Sequence, residues 1–146
     1  MKAVIQRVSH AKVVVEGRVT GSIEAGFLVL VGVTHDDDVS TAVKLARKVA
    51  RLRIFPDEEG KTNLSLLDTK GSALVVSQFT LYANTSKGNR PSFGQAAVSD
   101  KAKGLIGTFV EKLREEGVQH IGQGVFGANM QVTLCNDGPF TVILES

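Results

Sequence analysis

The segment spanning residues 3–34 reads AVIQRVSHAKVVVEGRVTGSIEAGFLVLVGVT, and it sets the fold that the rest of the chain must complete. Runs rich in valine and isoleucine are typical of β-strands. They predict strands at Ala3–Val8, Lys12–Glu16, Arg18–Ile23 and Phe27–Thr34. Between the second and third of these strands, Glu16-Gly17 predicts a tight hairpin turn. The first third of the chain is therefore expected to form strands of one sheet.

Two helices are predicted farther along the chain. Apolar residues at helical spacing between Val39 and Ala50 predict the first helix. The aspartates Asp36–Asp38 stand just before it, where carboxylates cap free N–H groups and complement the helix dipole. The second helix is predicted to begin at a Ser99 cap and to stop at Gly117.

Further strands are predicted in the remaining two thirds of the chain. They cover Arg53–Phe55, Asn63–Leu67, Ala73–Tyr82, Met130–Cys135 and Phe140–Leu144. The sequence Asn136-Asp137-Gly138-Pro139 joins the last two strands and predicts a hairpin turn. Many strands with two intervening helices predict an α+β fold. We expect a single domain over residues 1–146, with a largely antiparallel, barrel-like β-sheet and two main helices.

Composition limits the classes of protein to which the chain can belong. Its 146 residues suffice to bury a core without disulfides or structural metals. A lone Cys135 and three scattered histidines do not provide the spacing of metal ligands, so no metal site is expected. The longest apolar stretch, Ala25–Val33, is far shorter than the ~20 residues that span a bilayer. We therefore expect a cytoplasmic protein that does not enter a membrane.

The charge pattern bears on nucleic acid as a partner. The chain has 17 Lys and Arg against 15 Asp and Glu, and this net charge of +2 is too small to indicate broad duplex binding. One local cluster of cations nevertheless lies on a single face of the first predicted helix. Its members, called the basic stripe below, are Lys44, Arg47, Lys48 and Arg51. The stripe is either a solvated helix face or a phosphate-contacting surface.

Conventional catalytic motifs are absent from the sequence. It contains no Gly-x-Ser-x-Gly elbow, no phosphate-binding glycine loop with its lysine, and no His-Glu-x-x-His. His35 is a candidate base, but a lone histidine beside three aspartates is more typical of a surface position. Acid–base chemistry by side chains therefore has little support in the sequence.

Two segments carry polar groups that local structure does not fully explain. In the predicted strand Ser77-Gln78-Phe79-Thr80-Leu81, the period of two puts Gln78 and Thr80 on one face. In the second segment, a cis Gly138-Pro139 bond would turn two successive carbonyl groups to the same side. Paired carbonyls of this kind can hold an ammonium group.

The motifs that carry chemistry occur together and in order along the chain. They are Ser77–Leu81, Lys87–Phe93, Phe126–Met130 and Asn136–Thr141, and the opening segment is Ala3–Ser9. Together they resemble the D-aminoacyl-tRNA deacylase family, and the resemblance spans the whole chain. One departure is Phe140, where family members often carry valine, a difference that would reshape the rim of a pocket.

This resemblance implies a cofactor-free hydrolase whose partner is aminoacyl-tRNA. Such an enzyme cleaves the ester between a D-amino acid, or mischarged glycine, and the 3′-terminal adenosine. The resemblance also implies a homodimer in which a cis Gly138-Pro139 of one subunit enters the pocket of the other. The two carbonyls would hold the substrate ammonium group, and their position would exclude an L side chain sterically.

The resemblance further implies roles for individual residues. The expected catalytic residues are Ser77, Gln78, Phe79 and Thr80. Backbone N–H groups near Gln78 and Phe79 are the expected oxyanion donors. Phe126 and Met130 are expected to receive the terminal adenine, and Arg90 to approach a phosphate.

The residues leave the nucleophile open. Thr80 offers a hydroxyl, yet no histidine or carboxylate is placed by the sequence to deprotonate it. Water assisted by the 2′-hydroxyl of the tRNA is the favoured alternative, with the protein orienting the ester.

Two other functional classes compete with the deacylase. One is a non-enzymatic, dimeric RNA-binding module that uses the basic stripe, and the other is a small-ester hydrolase with Thr80 as nucleophile. The modest net charge fits a contact limited to the acceptor end of an RNA, because such a contact needs local groups rather than a strongly basic domain.

Overall fold

A single long strand organises the sheet. In the computed structural model, which describes residues 1–146, this strand (β1, Lys2–Val15) replaces the two strands predicted between Ala3 and Glu16. The other strands are β2 (Arg18–Ile23), β3 (Gly26–Gly32), β4 (Phe55–Pro56), β5 (Thr62–Leu64), β6 (Ser72–Ser77), β7 (Ile121–Gln123) and β8 (Gln131–Glu145). The helices are α1 (Val39–Ala50), α2 (Ser99–Glu115) and a short 3-10 helix (Phe79–Tyr82).

Both edges of β1 are paired along most of its length. Residues 2–6 pair antiparallel with β3 and β8, whereas residues 11–14 pair antiparallel with β2 and β8. β8 therefore follows one edge of β1, and β2 and β3 share the other. The predicted turn between β1 and β2 is confirmed, because Glu16 and Gly17 have φ values of 49° and 78°, as a two-residue hairpin requires.

The part of the sheet beyond β3 is parallel. β3 pairs with β6 and β6 pairs with β7, with Ala73 opposite both Phe27 and Ile121. Parallel neighbours require long crossover connections, which contain α1 and α2 here. The predicted α+β class, with a barrel-like sheet and two main helices, is confirmed.

Apolar side chains cover both faces of the central strands. In β3, Phe27, Val29 and Val31 belong to the main core beneath the helices, whereas Leu28 belongs to a smaller core inside the barrel. Strands that are buried on both faces are continuous apolar runs rather than alternating patterns. The two cores together hold the carboxyl ends of β3 and β6 side by side.

The barrel nearly closes between β2 and β7. A Cβ atom on Gly21 would lie 2.5 Å from the carbonyl oxygen of Gln123, so only glycine allows the two backbones to approach this closely. Across the same seam, the His120 ring nitrogen Nε2 donates to the Ser22 carbonyl at 2.8 Å. His120 therefore joins the loop before β7 to β2.

The hairpin predicted around the Asn-Asp-Gly-Pro sequence is wrong, because β8 continues through it and both halves of β8 pair with β1. Gln6 lies opposite Thr141 and Val8 lies opposite Asn136, so two steps along β1 correspond to five along β8. The surplus residues form a bulge (Asp137–Phe140). The turn-forming residues thus bend the strand locally without reversing it.

The strand predicted over Ala73–Tyr82 is also too long. β6 ends at Ser77, and the Gln78 N–H donates a last sheet hydrogen bond to the Val31 carbonyl at 2.8 Å. β3 ends at Gly32, so no partner strand continues beside the next residues. They coil into the 3-10 helix instead.

The predicted N-terminal capping residue is confirmed for one of the two helices. The Asp38 carboxylate accepts the Thr41 N–H at 2.8 Å and caps α1, as predicted. Ser99 is the first residue of α2 rather than its cap, since Val98 occupies the cap position. No helix combines the length and apolar character needed to cross a membrane.

The basic stripe on α1 is partly neutralised by α2. Nitrogen atoms of Arg47, Arg51 and Lys112 lie 3.1, 2.9 and 3.2 Å from the Glu116 carboxylate, whose side chain is only 6% exposed. Burial opposes ionisation of Glu116, but hydrogen bonds from Arg51, Lys112 and Arg47 outweigh it and hold the pKa of this carboxyl below its usual value. Two lysines of the stripe are left without an ion-pair partner.

Replacing Glu116 with glutamine should lower the melting temperature by about 2–4 °C near neutral pH, since three cations lose a shared carboxylate. A carboxyl with a lowered folded pKa stabilises fully above its unfolded pKa of about 4.3. That contribution is lost as the pH falls through the folded pKa. The difference between wild type and Glu116→Gln should therefore shrink below about pH 4. Thermal unfolding followed by circular dichroism checks this, and an undiminished difference at about pH 3 would contradict it.

Candidate active site

A cavity of about 500 Å³ opens where the parallel strands end. Val31 lies near the carboxyl end of β3, Ser77 ends β6, and Phe126 follows β7. Loops at the carboxyl ends of parallel strands are the usual place for ligands in α/β sheets. Residues from the loop before α2 and from the first half of this helix close the other side: Ala96, Ala97, Ser99, Ala102 and Ile106. The cavity is thus framed by segments that both cores hold in place.

The predicted catalytic segment forms one wall of this cavity. Ser77, Gln78 and Phe79 line it, and Ser77 and Gln78 are half-buried. The Gln78 N–H is already used by the Val31 carbonyl. The N–H groups of Phe79 and Thr80 begin the 3-10 helix, where first-turn donors have no partner within the helix. Of the residues expected to supply an oxyanion donor, Phe79 is the one whose N–H is not used by the sheet.

Thr80 lies next to the cavity wall rather than in it. The Gln78 side-chain amide donates to the Thr80 hydroxyl, so these two side chains are on the same side, as the sequence predicted, although the backbone is helical. No histidine or carboxylate is hydrogen-bonded to this hydroxyl. The candidate base His35 donates through its ring nitrogen Nε2 to the Gly94 carbonyl at 2.8 Å, which fixes it to another loop.

The opposite wall contains the predicted adenine-binding residues. Phe126 and Met130 are both half-buried and both line the cavity. Gly124 makes room for the second of them, because a Cβ atom there would lie 2.5 Å from the Met130 sulfur. Ala128 and Asn129 also line this wall; they belong to the motif Phe126–Met130, but the sequence analysis assigns them no role.

Arg90 is not part of the cavity. It lies in an exposed loop whose ends are joined by a backbone bridge between Asn84 and Ser92. Directly after this loop, the ring of Phe93 makes an edge contact, at 5.0 Å between centroids, with the exposed ring of the cavity-lining Phe79. Arg90 is therefore exposed outside the cavity and has no ion-pair partner.

Gly138 and Pro139 form the exposed tip of the bulge, and the peptide bond between them is cis. Neither residue lines the cavity of its own chain. Gly138 has a φ of 142°, and a Cβ atom there would lie 2.6 Å from the Phe140 nitrogen. The tip thus projects from the molecule in a conformation that requires glycine.

Arg7 holds the first residue of the bulge and was not singled out from the sequence. Its Nε donates to the Asp137 carbonyl at 2.9 Å and lies 3.3 Å from the Asp137 carboxylate. Its Nη1 donates to the Ile54 carbonyl at 2.5 Å, and the side chain is only 12% exposed. The available signal was an arginine in the middle of an apolar strand, since a buried cation needs partners.

Comparison with known proteins now identifies the family. The family model described as D-Tyr-tRNA(Tyr) deacylase matches residues 4–145. The chain belongs to this family. The expectation drawn from the sequence motifs is thereby confirmed.

Relatives and solved structures cover nearly the whole chain. D-aminoacyl-tRNA deacylases of Thermomicrobium roseum and Thermus aquaticus are 58% and 56% identical over 146 residues, which is 100% of this chain and 94% and 95% of theirs. The c-Myc DNA unwinding element binding protein has a TM-score of 0.94 at 42% identity, covering 100% of this chain and 99% of that one. A probable eukaryotic D-amino acid tRNA deacylase shares the fold, with a TM-score of 0.84 at 17% identity and coverage of 98% and 97%.

Substitution of Gly138 by alanine should lower the melting temperature by several degrees, because the added Cβ meets the Phe140 backbone at a positive φ. Gly104→Ala is the matched control. Position 104 lies within α2, where a Cβ would meet nothing within 4 Å, so alanine should stabilise this helix. Thermal unfolding should therefore shift in opposite directions for the two variants, and equal shifts would contradict the glycine requirement.

Proposed function

We propose that the chain hydrolyses the ester bond between a D-amino acid and the 3′-terminal adenosine of tRNA, releasing free amino acid and tRNA. The observation that carries this proposal is the cavity, which has a helix start with free N–H groups on one wall and an aromatic and a thioether side chain on the other. Membership of the deacylase family and the names of its relatives support the same reaction.

In this proposal, the terminal adenosine occupies the wall formed by Phe126 and Met130. Aromatic and thioether groups suit an adenine ring through stacking and soft packing. The ester carbonyl then lies against the start of the 3-10 helix, where the Phe79 N–H donates to the oxygen as it gains negative charge. One such donor contributes about 2.7–4 kcal/mol in comparable sites.

Water is the proposed nucleophile, and the 2′-hydroxyl of the tRNA assists its attack. The water oxygen bonds to the ester carbon, the bond from this carbon to O3′ breaks, and a proton passes from the water to O3′. Two features support water over Thr80: no base contacts the Thr80 hydroxyl, and this side chain does not line the cavity. Orientation of the reacting groups alone supplies ~7–11 kcal/mol in favourable cases.

Selection against L-amino acids is proposed to come from a second subunit. In a homodimer, the exposed Gly138-Pro139 tip of one subunit enters the cavity of the other, accepts hydrogen bonds from the substrate ammonium group and occupies the space of an L side chain. The projection of this tip away from its own cavity supports the exchange between subunits. Glycine has no side chain to reject, so mischarged glycyl-tRNA is also a substrate.

The cytoplasm, where aminoacyl-tRNA is found, is the proposed location.

A comparison of D-tyrosyl-tRNA and L-tyrosyl-tRNA as substrates of the purified protein tests the proposed function. We expect the D ester to be cleaved with a kcat/KM roughly a hundredfold higher or more, since the L side chain meets backbone. Ala97→Phe, which fills the cavity, should lower kcat/KM at least about tenfold. Val39→Phe, an exposed position at the start of α1, is the matched control and should leave it unchanged.

Three results would count against this function. Binding of tRNA without turnover of either ester favours the RNA-binding module. Turnover of simple D-amino acid esters at the same rate as the tRNA ester favours the small-ester hydrolase. Equal turnover of both tyrosyl esters rejects the stereochemical selection.

A second prediction separates the two nucleophiles. Thr80→Ala should retain substantial deacylation, whereas a substrate ending in 2′-deoxyadenosine should be nearly inert, because the protein supplies no base of its own. Thr80→Ser, which keeps the hydroxyl that Gln78 contacts, controls for disruption of that hydrogen bond. Single-turnover rates measure both effects. Loss of activity in Thr80→Ala with full activity on the deoxy substrate would instead identify Thr80 as the nucleophile.

A further inference from the structure

Phe140 is the last residue of the bulge, and its ring lies against the same guanidinium group that holds the first residue. The Arg7 Cζ atom is 5.1 Å from the centroid of the Phe140 ring. A cation over an aromatic face at this distance is attracted by the ring, and more strongly where water is excluded. Arg7 is largely buried, so water screens this attraction only weakly.

The opposite side of the Phe140 residue is held by the protein interior. Phe140 is half-buried and packs against the main core. Its nitrogen and Cβ leave no room for a side chain on Gly138, since a Cβ atom built there would lie 2.6 and 3.2 Å from them. Because only Pro139 separates Phe140 from Gly138 along the chain, a shift of Phe140 displaces the tip.

The tip itself has no comparable support. Gly138 and Pro139 are exposed, and none of their atoms takes part in a side-chain hydrogen bond. Their placement depends on the two ends of the bulge. Asp137 is fixed through its carbonyl and carboxylate by Arg7, and Phe140 is fixed by its ring between Arg7 and the core.

We propose that Phe140 is a positioning residue for stereochemical selection, whose ring, held between Arg7 and the core, fixes the orientation of the Gly138-Pro139 tip. This inference rests on the proposed function, in which that tip rejects L substrates. Phe140 does not line the cavity and touches no reacting atom in that mechanism. Its effect is therefore on the ratio of D to L turnover and on the mobility of the bulge.

Two variants at position 140 separate the effect of the aromatic face from the effect of apolar packing. Phe140→Leu keeps an apolar side chain that can pack on the core but removes the aromatic face, whereas Phe140→Tyr keeps both. In Phe140→Leu we expect the ratio of kcat/KM for D-tyrosyl-tRNA over L-tyrosyl-tRNA to fall about three- to tenfold. Amide hydrogen exchange of residues 136–141, measured by mass spectrometry, should become faster by a similar factor. Phe140→Tyr should restore both quantities to wild-type values.

A matched control distinguishes positioning from general loss of stability. Phe109→Leu makes the same substitution at a fully buried core position in α2, a different element from the strand that carries the bulge. It should lower the melting temperature while leaving the D to L ratio and the exchange of residues 136–141 unchanged. If Phe140→Leu behaves like this control, the inference is overturned.

The results for the wild-type protein and for Phe140→Leu also separate failure of the inference from failure of the proposed function. A wild-type protein that cleaves both tyrosyl esters equally rejects the proposed function, and the selectivity role of Phe140 falls with it. A wild-type protein that prefers the D ester, with Phe140→Leu unchanged in its D to L ratio, rejects the inference alone. Faster exchange together with a lower ratio in Phe140→Leu, both restored in Phe140→Tyr, supports it.

Discussion

The backbone pairing of β1 with β8 is the constraint on which the candidate site depends. β8 pairs with β1 on both sides of the bulge, so the bulge is anchored at two points of one continuous ladder. If the same residues formed a hairpin turn, the strands on the two sides of the turn would pair with each other. In the bulge, both sides pair with the same neighbouring strand, β1. Because the ladder resumes at Thr141, the surplus residues have no route except outward, and they carry Gly138-Pro139 away from the cavity of their own chain. In the proposed dimer, this outward projection is what allows one subunit to complete the other.

The cavity arises from a second constraint, the end of strand pairing. Beyond Gly32 no strand continues beside β6, so the chain after Ser77 satisfies its hydrogen bonds in a 3-10 helix, and the first N–H groups of that helix are left free at the cavity wall. Backbone donors fixed in this way cost no reorganisation when charge develops on a substrate oxygen. The proposed reaction therefore draws its electrostatic stabilisation from secondary structure. Such a reaction does not require the conventional catalytic side-chain motifs that the sequence lacks.

The strands, helices and fold class were predictable because they depend on local patterns of apolar and turn-forming residues. What failed were predictions that needed knowledge of the partner strand. Asp-Gly-Pro is compatible with a hairpin and with a bulge, and only the presence of β1 on both sides decides between them. The end of β6 likewise depends on where β3 stops, which is not encoded in β6 itself. The basic stripe was identified correctly as a helix face, but its pairing with Glu116 follows from the packing of α2 on α1. The family motifs indicated where the site lies, whereas Arg7 stood alone in an apolar strand and gave no local sign of its partners.

If the selective element of the proposed dimer consists of backbone atoms, its specificity must be set by residues outside that element. The direction of a carbonyl group is set by the backbone angles φ and ψ. Side-chain substitutions at the tip therefore have little effect on where its carbonyl groups point, and Gly138 and Pro139 offer little side chain to substitute. The direction in which the tip points depends instead on whatever fixes its two ends. In this chain, those ends meet at one guanidinium group, which contacts Asp137 through hydrogen bonds and Phe140 through its ring. Arg7 itself donates a hydrogen bond to the Ile54 carbonyl. The position of the tip therefore also depends on the segment that follows α1. In the proposed dimer, stereochemical selection by the tip is thus determined by residues that do not contact the substrate.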